Sequence, residues 1–194
     1  MANVFEGIDE SIRKFIEEQP MFFVATAPSG ADGLVNVSPK GYRDCFAVLD
    51  EHTVAYLDLF GSGAETIAHL RQNGRIVLMF CSFTRNSRIL RLHGIGRVLR
   101  PDESEFRRLA PHFNLAHPGL RSIILVDVRR VSDSCGYAVP YMELVDERPV
   151  LDKVHSVRPA EEWAVRVAGP NAKSIDGLPA LEPDHPLPTC VPRG

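Results

Sequence analysis

The sequence predicts a mainly β protein, an antiparallel barrel of six or seven strands with two or three helices packed outside it. Two observations support this fold class. Short apolar segments rich in β-forming residues succeed one another through connections of hairpin length, which implies antiparallel pairing. Only a few segments place their apolar residues at helical spacing instead.

The first element is a predicted helix over residues 8–18, which Asp9 or Ser11 caps and Pro20 stops. The apolar run "MFFVATA" then predicts a strand that ends at the turn-rich hexamer "PSGADG". The segments "LVNVS" and "CFAVLD" come next as strands on either side of a Pro39-Lys40-Gly41 turn. The alternating segment "TVAYLDL" predicts the next strand.

One helix interrupts this strand series, in "GSGAETIAHLRQNG". Ser62 stands at the predicted N-cap with Glu65 three residues later, which is the spacing of a capping box, and Asn73-Gly74 closes the helix. The next segment, "RIVLMFCSF", is apolar on both faces, as expected of a buried strand or a subunit contact. In the long strand "RILRLHGIGRVLR", two glycines at alternate positions indicate a bend or a close backbone approach.

The last regular elements are a short helix in "DESEFRRLA" and a long strand in "RSIILVDVRRVSDS". Beyond residue 134 no period is sustained. We therefore predict a barrel domain over residues 1–134 and an irregular C-terminal extension over residues 135–194. The segment "PAEEWAVRVA" predicts one helix in this extension, and the Pro-rich tail after it either lies over a surface or stays mobile.

The composition argues against several functions. A formal net charge of −3 disfavours nucleic-acid binding through a broad basic face. The chain has no run of about 18 apolar residues and no signal-peptide core at its start, so we expect no membrane span and a cytoplasmic location. Widely separated cysteines are expected to be free and mostly buried in that compartment: Cys45, Cys81, Cys135 and Cys190.

Most motifs that carry chemistry are absent. The chain contains no phosphate-binding G-x-x-x-x-G-K-[ST] loop and no nucleophile elbow G-x-S-x-G. Its seven histidines form no H-E-x-x-H pair and its cysteines no C-x-x-C pair, so no metal site is predicted. No single carboxylate or histidine stands out as a general base, and the catalytic residues stay unknown.

One combination of elements suggests an anion site. Lys40 lies on the predicted turn, while the predicted helix start offers free backbone N–H groups and the hydroxyls of Ser62 and Thr66. If the two meet in a small barrel, they form a site for a phosphate monoester. Taken singly, Lys40 also fits a solvated turn and Ser62 a plain helix cap, so both interpretations stay open.

Three stretches together resemble the pyridoxamine 5′-phosphate oxidase-like family of FMN-binding split barrels: "FFVATAPSGADGLVNVSPKG", "FAVLDEHTVAYLDLFGSGAETIAHLRQNGRIVLMF" and "RILRLHGIGRVL". The resemblance covers about residues 12–133. The later segments "SCGYAVP" and "NAKSIDGLP" are similar to the C-terminal part of a flavin-protein subgroup of this family. The resemblance implies a homodimeric split β-barrel with FMN in a groove between the subunits.

The resemblance also implies a set of FMN-binding residues. The stretch 35–40 and the helix start 62–66 match the phosphate-contacting parts of the family, and the stretches 36–38 and 56–58 match the parts near the isoalloxazine ring. An arginine of the strand after the buried one would reach the flavin from the partner subunit. The implied residues are Asn36, Val37, Ser38, Lys40, Tyr56, Leu57, Asp58, Ser62, Thr66, and Arg88 or Arg91.

The chain departs from the family pattern at both the phosphate site and the C-terminus. Val35 stands where the oxidases have an arginine and Thr66 where they have a lysine, so the phosphate meets fewer cations. The chain ends in "EPDHPLPTCVPRG", without the basic segment that binds the product of the true oxidases.

We therefore expect an FMN-dependent oxidoreductase that acts on a small organic substrate other than pyridoxamine phosphate. The alternatives are a deazaflavin- or haem-binding barrel, for which His93 is the strand histidine within reach, and a dimeric module whose groove has lost its ligand.

Overall fold

The computed structural model describes residues 3–188 of the chain, and within them it is mainly β. Eight strands are formed: β1 (Asn3–Phe5), β2 (Phe22–Thr26), β3 (Asn36–Lys40), β4 (Phe46–Val48), β5 (Thr53–Leu59), β6 (Arg75–Cys81), β7 (Ile89–Leu99) and β8 (Leu120–Ser134). Five α-helices accompany them: α1 (Glu10–Glu18), α2 (Glu65–Asn73), α3 (Ser104–Leu109), α4 (Val150–Ser156) and α5 (Ala160–Ala168).

The strands form one antiparallel sheet in the order β3-β2-β6-β7-β8-β5-β4, with β1 added to β8. Curled into an open barrel, this sheet confirms the predicted mainly β, split-barrel fold. The strand β1 and the helix α4 were not predicted, so the described part of the chain has more elements than the six or seven strands and two or three helices expected.

The prediction of a turn at Pro39-Lys40-Gly41 between two adjacent strands is wrong. Pro39 and Lys40 belong to β3, and a 3-10 turn at Arg43–Cys45 leads into β4. The strands β3 and β4 lie at the opposite ends of the sheet order. A proline fits β3 because an edge strand has no second neighbour that needs its N–H group.

Helix α1 packs its apolar face against the main core inside the barrel. Asp9 caps it by accepting a hydrogen bond from the Ile12 amide at 2.7 Å, and the helix ends before Pro20, as predicted. Its residues Phe15 and Ile16 pack with side chains of β2, β5, β6 and β7. Burial of this apolar surface is the main force that holds the helix on the barrel.

The close approach predicted at the glycines of β7 is present. The register between β7 and β8 shifts between His93 and Gly94, and a Cβ at Gly94 would lie 2.2 Å from the Asp127 carbonyl oxygen. A Cβ at Gly96 would lie 2.9 Å from the side chain of Leu70 on α2. These glycines let the strand bend and let α2 pack closely on it.

The C-terminal extension is docked on the barrel as far as the structure describes it. Trp163 of α5 is 1% exposed and packs in one apolar cluster with Phe60, with Ile67 of α2 and with Leu181. The tail was expected either to lie over a surface or to stay mobile, and residues 169–188 lie over the surface of the barrel. The rest of the predicted tail, including Cys190, lies outside the described residues, and the division at residue 134 into two domains stays a prediction.

The described cysteines are free, with Cys45 and Cys81 buried and Cys135 exposed. Among the described helices, none combines the length and the apolar character needed to cross a bilayer.

Candidate functional site

The candidate site is built around the edge strand β3. Because side chains alternate along a strand, Asn36, Ser38 and Lys40 share the face that looks toward the barrel interior, while Val37 and Pro39 point outward and are exposed. The register pairs Lys40 with Phe22 and Asn36 with Thr26 of β2. A row of polar side chains thus runs along the open edge of the barrel.

The amino end of this row contacts the start of α2. The side-chain amide of Asn36 donates to the hydroxyl of Thr66 at 3.1 Å and lies 3.4 Å from that of Thr26, while Ser38 donates to the Asn36 side-chain carbonyl at 3.1 Å. The Thr26 hydroxyl is hydrogen bonded to Nδ1 of His69 at 2.9 Å. Strand β3 and helix α2 therefore converge, and they do so through Asn36 rather than through Lys40.

His69 ends this network below the surface. Its side chain is fully buried, and Nε2 has no hydrogen-bond partner, with the nearest carboxylate oxygen, of Asp176, 4.0 Å away. Asp176 also accepts from the Leu34 amide at 3.3 Å, so the C-terminal extension reaches the start of β3. Burial lowers the pKa of His69, and the charges of Asp176 and Glu65 offset only part of this effect.

The carboxyl end of the row meets a buried ion pair. The ammonium of Lys40 lies 3.9 Å from Asp58, whose two oxygens accept from Arg121 at 2.6 and 3.0 Å. Ser122 donates a further bond of 3.1 Å to this carboxylate. Burial raises the pKa of Asp58, but Arg121 and Lys40 lower it more, so the net pKa lies below its ordinary value. Burial also lowers the pKa of Lys40.

Arg121 joins this ion pair to the loop before α2. Its guanidinium donates to the Gly63 carbonyl at 2.9 Å and to the side-chain carbonyl of Asn171, and it lies 5.4 Å from the ring centre of Phe60. One buried cation thus connects β5, β8, the loop 60–64 and the C-terminal extension. Sequence reasoning missed it, although a charge at the start of the apolar run "RSIILV" facing a carboxylate in "AYLDL" was a usable signal.

Three of the implied site residues lie on β5 and are buried. Tyr56 and Asp58 are 0% exposed and Leu57 is 3% exposed. Tyr56 packs in the main core, where its hydroxyl has no hydrogen-bond partner. Their role in cofactor binding stays a prediction, and burial restricts it to backbone contacts or to the interior side of the groove.

The start of α2 differs from the predicted capping box. The N-cap is Ala64, and no side chain caps the helix. Ser62 is exposed and lies two residues before the cap, in an open depression that it shares with Arg158 and Arg166 of the extension. The closing residue Gly74 has the left-handed conformation expected of a C-cap.

The two implied arginines point to different surroundings. Arg88 is held by Asp133 at 2.9 Å and lies over the ring of Phe15 at 5.0 Å from its centre. Arg91 donates to the Ser134 hydroxyl at 3.0 Å and is paired in register with Met79, on the outer face of the sheet. Only Arg91 of the two therefore faces outward, where a partner subunit can lie.

A cleft of about 280 Å³ opens beside Lys40, between α1 and β4. Its walls combine the aromatic side chains of Phe22, Phe46 and Tyr42 with the cationic side chains of Arg13 and Arg43. The lining also includes Glu17, so rings, cations and one carboxylate face the cleft together, which suits a small polar organic molecule.

Comparisons with known proteins agree with this architecture. A model of the family "Pyridoxamine 5'-phosphate oxidase" matches residues 8–135. A protein of Aspergillus flavus described as "Pyridoxamine 5'-phosphate oxidase family protein ustO" is 36% identical over 197 residues, which cover 93% of this chain and 78% of the relative. This alignment extends past the family match and takes in most of the C-terminal extension.

Solved structures match the chain at low sequence identity. A variant of HupZ from Group A Streptococcus is 18% identical, has a TM-score of 0.50, and covers 66% of this chain and 99% of its own. A protein from Mycobacterium smegmatis described as an FAD binding protein is 12% identical, has a TM-score of 0.46, and covers 68% of this chain and 96% of its own.

Proposed function

The chain belongs to the pyridoxamine 5′-phosphate oxidase family, and we propose that it is a cytoplasmic, homodimeric flavoprotein that uses FMN to pass hydride or electrons to or from a small organic molecule. The observation that carries this proposal is the contact between Asn36 and Thr66 at 3.1 Å. It brings together the strand and the helix start that the family resemblance assigns to the phosphate end of the cofactor.

The residues present suit a polar, phosphorylated cofactor. Asn36, Ser38 and Thr66 place linked polar side chains along β3 and α2, and Lys40 supplies a cation at the far end of the strand. FMN would supply the redox chemistry, and the chain would bind, orient and shield it. With neutral residues at Val35 and Thr66, amide and hydroxyl hydrogen bonds take the place of ion pairs.

The outer face of the sheet supports a dimer. Side chains that are paired in register across β3, β2 and β6 form an apolar strip of Val37, Ala25 and Val77, with Phe23 and Met79 beside it. Val37 is 61% exposed, and the neighbouring residues Leu34 and Val35 are exposed to a similar extent. A second copy packed on this strip would cover apolar surface and place Arg91 near its groove.

The main rival is a dimeric module without a flavin. It is favoured by the carboxylate of Asp176, which lies at the amino end of β3 where the family has positive charge. A carboxylate beside a phosphate is repulsive, so this residue weakens the binding of a dianion. Histidine is a common axial ligand of haem iron, so His93 on the outer face would be the ligand in the haem alternative.

The test is a cofactor analysis of the purified full-length protein, with a fluorescence titration with FMN as its second step. A yellow flavin released from the protein supports the proposal. So does saturable quenching of FMN fluorescence by a protein that sediments as a dimer. A red-brown pigment indicates haem, and a colourless protein that ignores FMN indicates the empty module.

We expect Lys40→Ala to weaken FMN binding about 10- to 100-fold, because hydrogen bonds to charged groups contribute about 1.5–3 kcal/mol. The matched control is Lys14→Ala on the exposed side of α1. Asp58 keeps Arg121 in the variant, so thermal melting should hardly change. Equal FMN affinity in wild type and Lys40→Ala would remove Lys40 from the site.

A further inference from the structure

A second cluster of chemically active side chains lies beside the residues assigned to the flavin, with Cys45 in one apolar cluster with Leu57. It joins the 3-10 turn before β4 to the loop before β8: Asp44, Cys45 and His117 place one carboxylate oxygen, one thiol sulfur and one imidazole nitrogen within 4.8 Å of one another. Imidazole, thiolate and carboxylate are the three ligand types that Zn²⁺ takes in proteins. We propose that these three side chains bind a zinc-like divalent cation.

The distance between two of the donors already suits such an ion. Nε2 of His117 and a carboxylate oxygen of Asp44 are 3.2 Å apart. Two ligands at zinc–ligand distances of 2.0–2.2 Å on a tetrahedron are separated by about 3.4 Å. The Cys45 sulfur would sit at about 3.6 Å from each of them, so closing the site needs a shift of little more than about 1 Å. A fourth position stays open for water.

The histidine is oriented for coordination through Nε2. Its Nδ1 lies 3.0 Å from a carboxylate oxygen of Asp152 on α4, which fixes the ring and leaves Nε2 turned toward Asp44. The ring of Tyr42 stacks on the imidazole with centres 4.8 Å apart. A carboxylate behind the second ring nitrogen is the usual outer-shell partner of a metal-binding histidine.

Burial and access are both suited to a metal site. Cys45 is 3% exposed and His117 is 7% exposed, so their positions are fixed by packing. The side chain of Asp44 is 44% exposed, which gives an ion a path from solvent, and Asn114 holds its second oxygen at 2.8 Å. Binding would form bonds from the ion to the Cys45 sulfur, to Nε2 of His117 and to an Asp44 oxygen; the thiol proton and the Nε2 proton that bridges His117 to Asp44 would leave to solvent.

The cluster also has an explanation without metal, in which His117 bridges Asp44 and Asp152 by hydrogen bonds alone. Both explanations tie the C-terminal extension to the barrel, because Asp152 belongs to α4. They differ in whether the thiol of Cys45 takes part and whether a cation is held. The experiment therefore measures metal binding and the state of the thiol together, and it is independent of any flavin.

The experiment titrates chelator-treated, full-length protein with Zn²⁺ against a chromophoric chelator and repeats the titration with Co²⁺. We expect one ion per chain, proton release, a cobalt–thiolate charge-transfer band and a higher melting temperature with metal. Cys45→Ser should abolish the band, and Asp152→Asn should weaken affinity about 10- to 100-fold at unchanged stoichiometry.

Two controls match the ligands in residue type. The substitutions Cys135→Ser and His112→Ala, both at exposed residues, should leave the zinc affinity and the cobalt spectrum unchanged. The proposal is overturned if the chain holds no ion at micromolar concentration, or if binding persists unchanged in both Cys45→Ser and Asp152→Asn. If no ion is held, His117 serves only to hydrogen bond Asp44 to Asp152. If binding is unchanged in both variants, the ion binds elsewhere on the chain.

Discussion

Replacing Arg121 with methionine is the sharpest test of the network under the candidate site. The side chain of Arg121 is 4% exposed and that of Asp58 is 0% exposed, and they are joined by hydrogen bonds of 2.6 and 3.0 Å. Removing Arg121 leaves the buried carboxylate of Asp58 with only Lys40, at 3.9 Å, as a cationic neighbour, and breaking a buried pair in this way costs about 3–5 kcal/mol. Since small domains are stable by only about 5–15 kcal/mol, the variant should lose a large part of its free energy of unfolding.

The pKa of Asp58 sets the sign of the pH dependence. In the wild type this pKa lies below 3.8, so the contribution of the pair is present above that pH and is lost as the pH falls through the folded-state pKa. In the variant, burial is the largest remaining influence on the carboxyl and exceeds the charge of Lys40, so we expect the pKa of Asp58 to rise above its ordinary value. The unfolded chain then releases its proton first, so the variant becomes less stable as the pH rises from about 4 toward 7.

The assay is urea unfolding of both proteins between about pH 4.5 and about 7.5, monitored by the fluorescence of the single tryptophan, Trp163. The matched control is Arg129→Met on the same strand, whose side chain is 66% exposed and whose loss should cost less than about 1 kcal/mol. Should Arg121→Met not fold, the double variant with Asp58→Asn removes the orphaned charge and should recover much of the loss. A loss below about 1 kcal/mol, or one that does not change with pH, would refute this reasoning.

Two further predictions concern the C-terminal extension. Trp163→Ala should destabilise the whole chain by about 3–5 kcal/mol in a single thermal transition monitored by circular dichroism, because the ring is buried in a cluster shared with α2. The exposed neighbour Val165→Ala should change stability by less than about 0.5 kcal/mol, and a separate early transition in Trp163→Ala would show that the extension folds apart from the barrel. Burial lowers the pKa of His155 to about 4, so the unfolded chain takes up its proton first as the pH falls below 6.5, and stability should fall between pH 6.5 and 4. His155→Leu should flatten this part of the urea-unfolding profile, and an unchanged slope would contradict the assignment.

The order of elements was largely predictable because it depends on local patterns. The caps of α1, the glycines of β7 and the alternation of β5 side chains between two apolar clusters arise from contacts within a few residues or from steric limits on the backbone. The pairing of β3 was not predictable in this way. A short segment between two apolar runs fits a hairpin turn and an edge strand equally well, and only the closure of the sheet decides between them.

The candidate site shows the same division. The polar positions on β3 were visible in the sequence, but the residues they meet, Thr26, Asp58 and Thr66, belong to three other elements of the chain. The sequence predicted Ser62 as the N-cap of α2, but the N-cap is Ala64. The chain uses two more residues than the capping-box spacing predicts to turn from β5 into α2. The family resemblance pointed to β3 and the start of α2, and the structure shows a contact between these two elements, whose role in cofactor binding stays a prediction.

By itself the sequence indicated the fold class through the period of its strands, the free state of the three described cysteines through their wide separation, and the family through the resemblance of three stretches. Tertiary structure alone decided which side chains share a site. Arg121 meets Asp58 across 63 positions of sequence, and His117 meets Asp44 across 73. No local pattern encodes such a meeting, because it arises when apolar burial folds the sheet and the charged groups brought inside must find partners.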